Sequence, residues 1–242
     1  MKKKLCAALL ALSVACPSLH AQNLVNETQE QKDKRMEWFH KAKLGIFIHW
    51  GVYAVKGVSE SWSFYNKYLP HDEYMKQCEG FTASKYDPKA WVELIKESGA
   101  QYTVLTTKHH DGVALWDTKQ NGISVVKNTP AKRDLVTPFV NEVRKAGLRL
   151  GLYYSLPDWS HPDYPNMTRT DVRYKDDPKR WDDFCKFNFG QLKELNTTYK
   201  PDLYWFDGDW EQNAETWRAK GIMELLRSTN KDVIVNSRIT GY

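Results

Sequence analysis

The sequence predicts an α/β fold of the (β/α)8-like, TIM-type barrel class, truncated here after about five strands. Three observations carry that expectation. Short apolar runs alternate with helix-period segments from residue 44 onward, and the runs are nearly continuous, as strands covered on both faces of a parallel sheet require. No GxGxxG or GxxxxGK(S/T) pattern follows the first strand, which counts against an open doubly wound sheet built around a phosphate. Polar, chemistry-bearing residues stand instead at the C-terminal end of each strand, where barrel enzymes assemble their sites.

The elements follow in order. Residues 1–21 place Lys2, Lys3 and Lys4 ahead of an apolar stretch from Leu5 to Ala15, then small residues. This is the pattern of a secretory signal, too short to span a membrane, with cleavage expected after Ala21. A lipoprotein signal using Cys16 is the alternative, and Ser13 in place of a branched apolar residue counts against it. Residues 22–242 then form the N-terminal part of a catalytic barrel, whose remaining strands and any C-terminal β-sandwich lie outside this sequence. An amphipathic helix over 26–42 leads into a short buried strand at 44–49. A polar, irregular stretch runs to about residue 87. "PKAWVELIKESGA" has Pro at a helix start and Gly at its end. "QYTVLTTKHHDG" is the second strand, "DLVTPFVNEVRKAG" a helix stopped by Gly, and "LRLGLYYS" the third strand. After the loop "PDWSHPDYPNMT" come a helix over 178–196, the strand "DLYWFDG", a helix over 213–228 and the strand "DVIVNSR".

Composition narrows the function classes. Without Lys2, Lys3 and Lys4 the formal charge of +5 drops by three, to +2, so the basicity belongs to the export signal and gives nucleic-acid binding little support. No stretch outside the signal is long and apolar enough to cross a bilayer. Cys78 and Cys185 remain after the signal, either as a disulfide or as two buried thiols. Asn26, Asn166 and Asn196 head glycosylation patterns that matter only in a eukaryotic host. Ten Trp and thirteen Tyr exceed what a core of this size needs, which fits either an aromatic core or platforms for sugar rings.

Taken together, the strand ends offer His49, His109, His110, Tyr154, Asp207 and Arg238. A metal-assisted hydrolase would use His49, His109, His110 and Asp207 as ligands. Against it, the first strand carries a single His rather than an HxH pair, and adjacent His109 and His110 point to opposite sides if the strand persists through them. A glycoside hydrolase would use a nucleophilic carboxylate, a second carboxyl as acid/base, and neutral imidazoles as hydroxyl clamps, since each offers one donor and one acceptor. Trp205 shares a strand face with Asp207 and suits the apolar face of a sugar.

"GIFIHWG", "TTKHHDG", "GLYYS…DW", "DLYWFDG" and "VNSR", in this order, resemble the α-L-fucosidases of glycoside hydrolase family 29 over residues 35–242. The resemblance implies a retaining mechanism on a (β/α)8-like barrel, no metal and no cofactor, with a fucosylated oligosaccharide or glycoconjugate as partner. Asp207 would be the nucleophile. His49, His109 and His110 would grip sugar hydroxyls, Trp205 would line the pocket, Tyr154 would be the contributing tyrosine of the Tyr153–Tyr154 pair, and Arg238 would favour the charged carboxylate beside it. Two departures stand out. Where many members have a Glu-Trp pair, "SESWSFYN" has Ser61 before Trp62, with Glu60 one residue early. The general acid/base Glu is expected beyond residue 242. A carbohydrate-binding protein on an inactive or truncated hydrolase scaffold is the competing reading. Asp111 and Asp209 are expected to be structural, His40, His71 and His161 to lie on the surface, and Glu93 and Glu97 on a solvated helix face. Trp50 and Trp159 fit either core or pocket, and Asp158 is a poorer nucleophile because its neighbours show no matching cation.

Overall fold

A computed structural model describes residues 27–239. The signal segment, Cys16 and Asn26 lie outside them. Helix α1 (Gln29–Ala42) begins at a capping box: the Thr28 hydroxyl accepts from the Gln31 amide and the Gln31 side chain returns to the Thr28 amide. Strand β1 (Gly45–Ile48) follows at once. Its first residue must be Gly, because a Cβ there would lie 2.1 Å from Cζ of the facing Tyr102 ring. Short helical turns occupy much of the polar stretch up to Asp87.

Four helix–strand units then repeat. Helix α2 (Pro88–Glu97) starts on Asp87, whose carboxylate accepts from the Ala90 amide, with Pro in the first turn, where no amide hydrogen is needed. It leads to β2 (Tyr102–Lys108). Helix α3 (Val136–Lys145) leads to β3 (Arg149–Ser155). Helix α4 (Pro178–Tyr199) repeats the Asp-Pro start at Asp177 and leads to β4 (Leu203–Asp207). Helix α5 (Ala219–Thr229) precedes β5 (Ile234–Val235).

All four pairings are parallel and the sheet order is β1-β2-β3-β4-β5. A doubly wound sheet reverses its strand order at a switch point. The uninterrupted order instead fits barrel-type winding. Leu105, Leu152, Tyr154, Tyr204 and Phe206 share one face of the sheet and belong to the main core with Val92 and Ile95 of α2, Phe139 and Val143 of α3, and Leu192 and Leu195 of α4. The other face carries Val104, Tyr153, Leu203 and Ile234, which pack against Met36, Trp38 and Phe39 of α1. Helix α1 therefore closes the far end of this inner face and leaves the C-terminal strand ends open above it.

Candidate active site

The site is built where the strands stop. The β2–β3 register slips between Thr106 and Lys108. This bulge turns Lys108 onto the helix face and ends the strand before the two histidines. His109 and His110 accordingly do not point apart, as a continuing strand would have required: their ring centroids lie 4.4 Å apart. His49, the first residue after β1, brings its ring within 5.0 Å of His109.

Asp207, the last residue of β4, shares the inner face with Trp205 and faces three groups. The Tyr153 hydroxyl donates to its Oδ2 at 3.0 Å, Arg238 Nη1 donates to its Oδ1 at 3.0 Å, and His110 Nε2 stands 3.7 Å from Oδ2. Below the carboxylate, Trp205, Phe47 and Tyr153 make an aromatic wall, with Phe47 5.5 Å from Trp205 and 5.9 Å from Tyr153.

Hydrogen counting assigns the His110 tautomer. The Ser155 hydroxyl has one proton and donates it to the Pro157 carbonyl at 2.6 Å. It must therefore accept from His110 Nδ1, with which it is paired. His110 Nε2 is left as a bare acceptor, buried and without a hydrogen-bond partner. Burial, then the charges of Lys108, His49 and Arg238, push the His110 pKa down to about 3. Burial, followed by His110 and His49, also carries His109 well below the ordinary imidazole value. His109 Nδ1 lies 2.5 Å from the Ser61 hydroxyl, and His49 Nδ1 lies 2.8 Å from the Tyr53 hydroxyl. Serine at 61 thus has a function of its own: fully buried, it orients His109. The Glu60 carboxylate reaches the same place, within 4.8 Å of ring nitrogens of His49 and His109.

One expectation is corrected by strand parity. Tyr154 is fully buried on the helix face, where its hydroxyl bonds Asn188 and Gln191 of α4 and lies 3.0 Å from Lys108 Nζ. Tyr153 is the tyrosine that meets Asp207.

The floor beside His110 is Trp159, whose ring centroid is 4.5 Å from that of His110 and 5.0 Å from that of Trp62. Trp159 therefore belongs to the pocket, whereas Trp50 stacks on Tyr86 and meets Trp91 edge-to-face outside it. Trp62 also lies nearly parallel to Trp210, and the Arg238 guanidinium covers the Trp210 ring. A pair of opposite charges holds this floor. Glu211 accepts from the side chains of Trp159, Tyr164 and Asn166 at 2.6–2.9 Å. Arg173 donates to the backbone carbonyls of the same three residues at 2.7–3.1 Å. Neither residue carries a local motif, because the loop they brace is assembled only in three dimensions.

Other acids and histidines sort by burial. Asp158 does have a cation, Lys108, at 3.7 Å, and both are buried. Its Oδ1 accepts the Ser160 and His161 amides, so it shapes the loop. Gly112, at φ +78°, is needed beside it, since a Cβ there would meet Asp158 Oδ1 at 2.3 Å. Asp111 is buried, bonded to the Tyr74 hydroxyl and the Val113 amide, and raised by burial to about 6. His161 is buried against Phe184 and Phe187 rather than at the surface, and His71 is half-buried against Ser160. His40, Glu93 and Glu97 are exposed. Cys78 and Cys185 are separate buried thiols. The larger clefts, of about 530 Å³ beside Trp50 and about 520 Å³ beside Trp181, lie away from the histidines. Convergent donors and acceptors, not concavity, mark the site.

The sequence model of the family described as alpha-L-fucosidase matches residues 12–241. The chain belongs to the α-L-fucosidase family. Among curated relatives, tissue alpha-L-fucosidase of Mus musculus is 34% identical over 225 residues, covering 83% of this chain and 47% of the relative. Alpha-L-fucosidase isoenzyme 1 of Paenibacillus thiaminolyticus superposes with a TM-score of 0.80 at 36% identity, over 86% of this chain and 51% of that one. A fucosidase of Bacteroides thetaiotaomicron, described as a trapped covalent intermediate with 2-fluoro-fucosyl fluoride, gives 0.77 at 35%, over 90% and 51%. The chain spans about half the length of these fucosidases, and the shared fold is their TIM-like barrel.

Proposed function

We propose that residues 22–242 form the nucleophile-bearing, sugar-binding part of an exported, retaining exo-α-L-fucosidase, with the signal at 1–21 directing it to the periplasm or exterior. A lipoprotein anchor at Cys16 is the variant of that reading. The observation that carries it is the setting of Asp207. A carboxylate at a strand end is oriented by Tyr153 and Arg238, stands on an aromatic wall, and faces an imidazole whose free lone pair has no partner.

In this reading terminal α-linked L-fucose sits on Trp205 and Phe47. A sugar hydroxyl donates to His110 Nε2, and His109 and His49 take further hydroxyls. Trp62 and Glu60 close the near side. Asp207 attacks the anomeric carbon as the aglycone oxygen leaves with a proton from a carboxyl expected beyond residue 242. Water then releases fucose from the fucosyl-enzyme. The two carboxyl groups of a retaining site stand about 5–5.5 Å apart, so that second acid would lie across the sugar from Asp207.

The test is azide rescue. The protein expressed from its complete reading frame should hydrolyse an aryl α-L-fucoside, and Asp207→Gly should abolish this. Azide should restore aglycone release and yield the β-fucosyl azide. A D207G variant that keeps hydrolysing would overturn the assignment. So would a folded parent that binds fucose with no turnover, which is the behaviour of a binding protein on a hydrolase scaffold.

A further inference from the structure

We infer that Lys108 is a positioning residue for the reaction proposed above: from behind the sheet its ammonium ties down the segment that orients His110, and it keeps a proton from settling between His110 and Asp207. Lys108 is the one buried lysine among the described residues, on a sheet face shared with Leu105, Leu152 and Phe206. Its Nζ donates to the Tyr154 hydroxyl at 3.0 Å and to Asn188 Oδ1 at 3.4 Å. It stands 3.7 Å from Asp158 Oδ2 and 4.3 Å from the centroid of the Tyr154 ring. Packing alone does not explain it. A methionine would fill the same space, and taking an ammonium out of water is costly even when it is paired.

The partners of Lys108 all lead to one segment. Asn188 donates from Nδ2 to the Leu156 carbonyl at 2.8 Å. Asp158 stands between Pro157, whose carbonyl takes the Ser155 proton, and Trp159, whose amide donates to the His110 carbonyl at 2.8 Å. Ser155, Pro157 and Trp159 fix the His110 ring, and the stretch they belong to is tied to Lys108 from the helix face. His110 Nε2 and Asp207 Oδ2 stand 3.7 Å apart, both electron-rich. A proton entering there would make an imidazolium–carboxylate pair. Nε2 would then donate to Asp207 instead of accepting a sugar hydroxyl, and the carboxylate would be a weaker nucleophile. This deepens the fucosidase reading and rests on it for its kinetic consequence only.

Burial and nearby positive charge oppose that proton. Lys108 leads the charges acting on His110, ahead of His49 and Arg238. Arg238 is engaged by Asp207 and Trp210, whereas the Lys108 ammonium is held two residues from His110 with no solvent to screen it. Burial pulls the Lys108 pKa down to about 8, so the ammonium is charged throughout the acidic range in which His110 could be protonated. The acids around the ring act the other way: Asp207 and Asp209 at the end of β4, Asp111 on its own segment, Asp158 after β3 and Glu60 beside His109. His109 is held neutral and Tyr153 keeps its proton against Asp207. Trp62, Trp159 and Trp210 bring only aromatic rings. Without Lys108 the acids prevail and His110 gains the proton more readily.

The experiment is a pH titration by 15N NMR of the histidine-labelled protein from its complete reading frame, with the His110 signals assigned by their loss in His110→Gln. The parent's His110 should keep the neutral Nδ1–H tautomer down to about pH 5. The double variant Lys108→Met, Asp158→Asn removes the ion pair together and keeps an oxygen for the Ser160 and His161 amides. Its His110 should take up a proton about two pH units higher than the parent's. Lys108→Gln in the same background retains a donor for Tyr154 and serves should the Met variant fail to fold. Asp158→Asn alone keeps the ammonium and should titrate within about half a unit of the parent. The acid limb of kcat/KM for an aryl α-L-fucoside should move up with the NMR midpoint. A double variant that titrates with the parent would overturn the inference. So would a D158N shift as large as the double variant's, which would assign the effect to the loop, or a parent His110 already protonated at about pH 6. A parent without turnover would sink the fucosidase reading while the titration still decides the role of Lys108, and an unchanged titration in an active enzyme would sink this inference alone.

Discussion

The mouth of the sheet and the β1 edge are put together in opposite ways. Between β2 and β4, polar side chains are cross-braced over long stretches of sequence: Glu211 to Trp159, Tyr164 and Asn166, Arg173 to their carbonyls, Ser155 to His110, Tyr153 to Asp207. Along β1, Ile46, Ile48, Trp91, Leu94 and Ile95 line an apolar groove of about 280 Å³, with Leu94 65% exposed. The lesson concerns where stability and function meet. At the mouth each side chain is held by specific partners, so removing one acceptor strands several donors. At the edge Leu94 turns its side chain to solvent, so removing that apolar group changes little.

The largest effect should come from breaking the brace. Glu211→Ala leaves three donors without their acceptor, two of them on fully buried residues, and should cost on the order of 3 kcal/mol in a denaturant titration. Glu211→Gln keeps an acceptor and should lose about 1 kcal/mol. Equal losses would mean that the charge, not hydrogen-bond satisfaction, holds the loop.

Next comes a pH dependence. His110 is pushed down to about 3 from an ordinary 6.5. Between those values the unfolded chain binds a proton that the folded chain does not. Stability from this group therefore falls as pH drops through that window, by about 1.4 kcal/mol per pH unit. Asp111, raised to about 6, works in the opposite sense between 3.8 and 6. The difference between the parent and His110→Gln isolates the imidazole: the parent's advantage at pH 7 should shrink on acidification below 6.5. A constant difference would remove the neutral-imidazole assignment.

A smaller effect is expected for Ser155→Ala, about a tenfold loss of fucose affinity by calorimetry, because His110 Nε2 would no longer be held as an acceptor. The smallest belongs to the edge: Leu94→Ala should stay within about 0.5 kcal/mol. A loss of several kcal/mol there would show that the groove is covered in solution and would break the contrast.

Much of the frame was legible in the sequence because its signals are local. Pro88 and Pro178 open helices α2 and α4, and Gly99 and Gly147, both at positive φ, follow the ends of α2 and α3. His49, Asp207 and the paired histidines stand at strand ends as their positions in the motifs imply. Choosing between Tyr153 and Tyr154 was not a local matter. It depends on cross-strand register, which sets Tyr153 opposite Trp205 on the inner face and Tyr154 opposite Phe206. The common direction of His109 and His110 depends on a bulge that no residue pattern announces. The roles of Ser61, Ser155, Arg173 and Glu211 arise from partners up to 52 residues away, reached only after the strands are in place.

The most direct test of the central claim, that Asp207 is a fucosyl-accepting nucleophile, is covalent labelling. The protein from the complete reading frame would be incubated with a 2-deoxy-2-fluoro-fucosyl fluoride and digested, and its peptides mapped by mass spectrometry. The account predicts a fluorofucosyl adduct on Asp207 and none in the D207N variant. A folded protein labelled on another carboxylate, or not labelled at all, would contradict it.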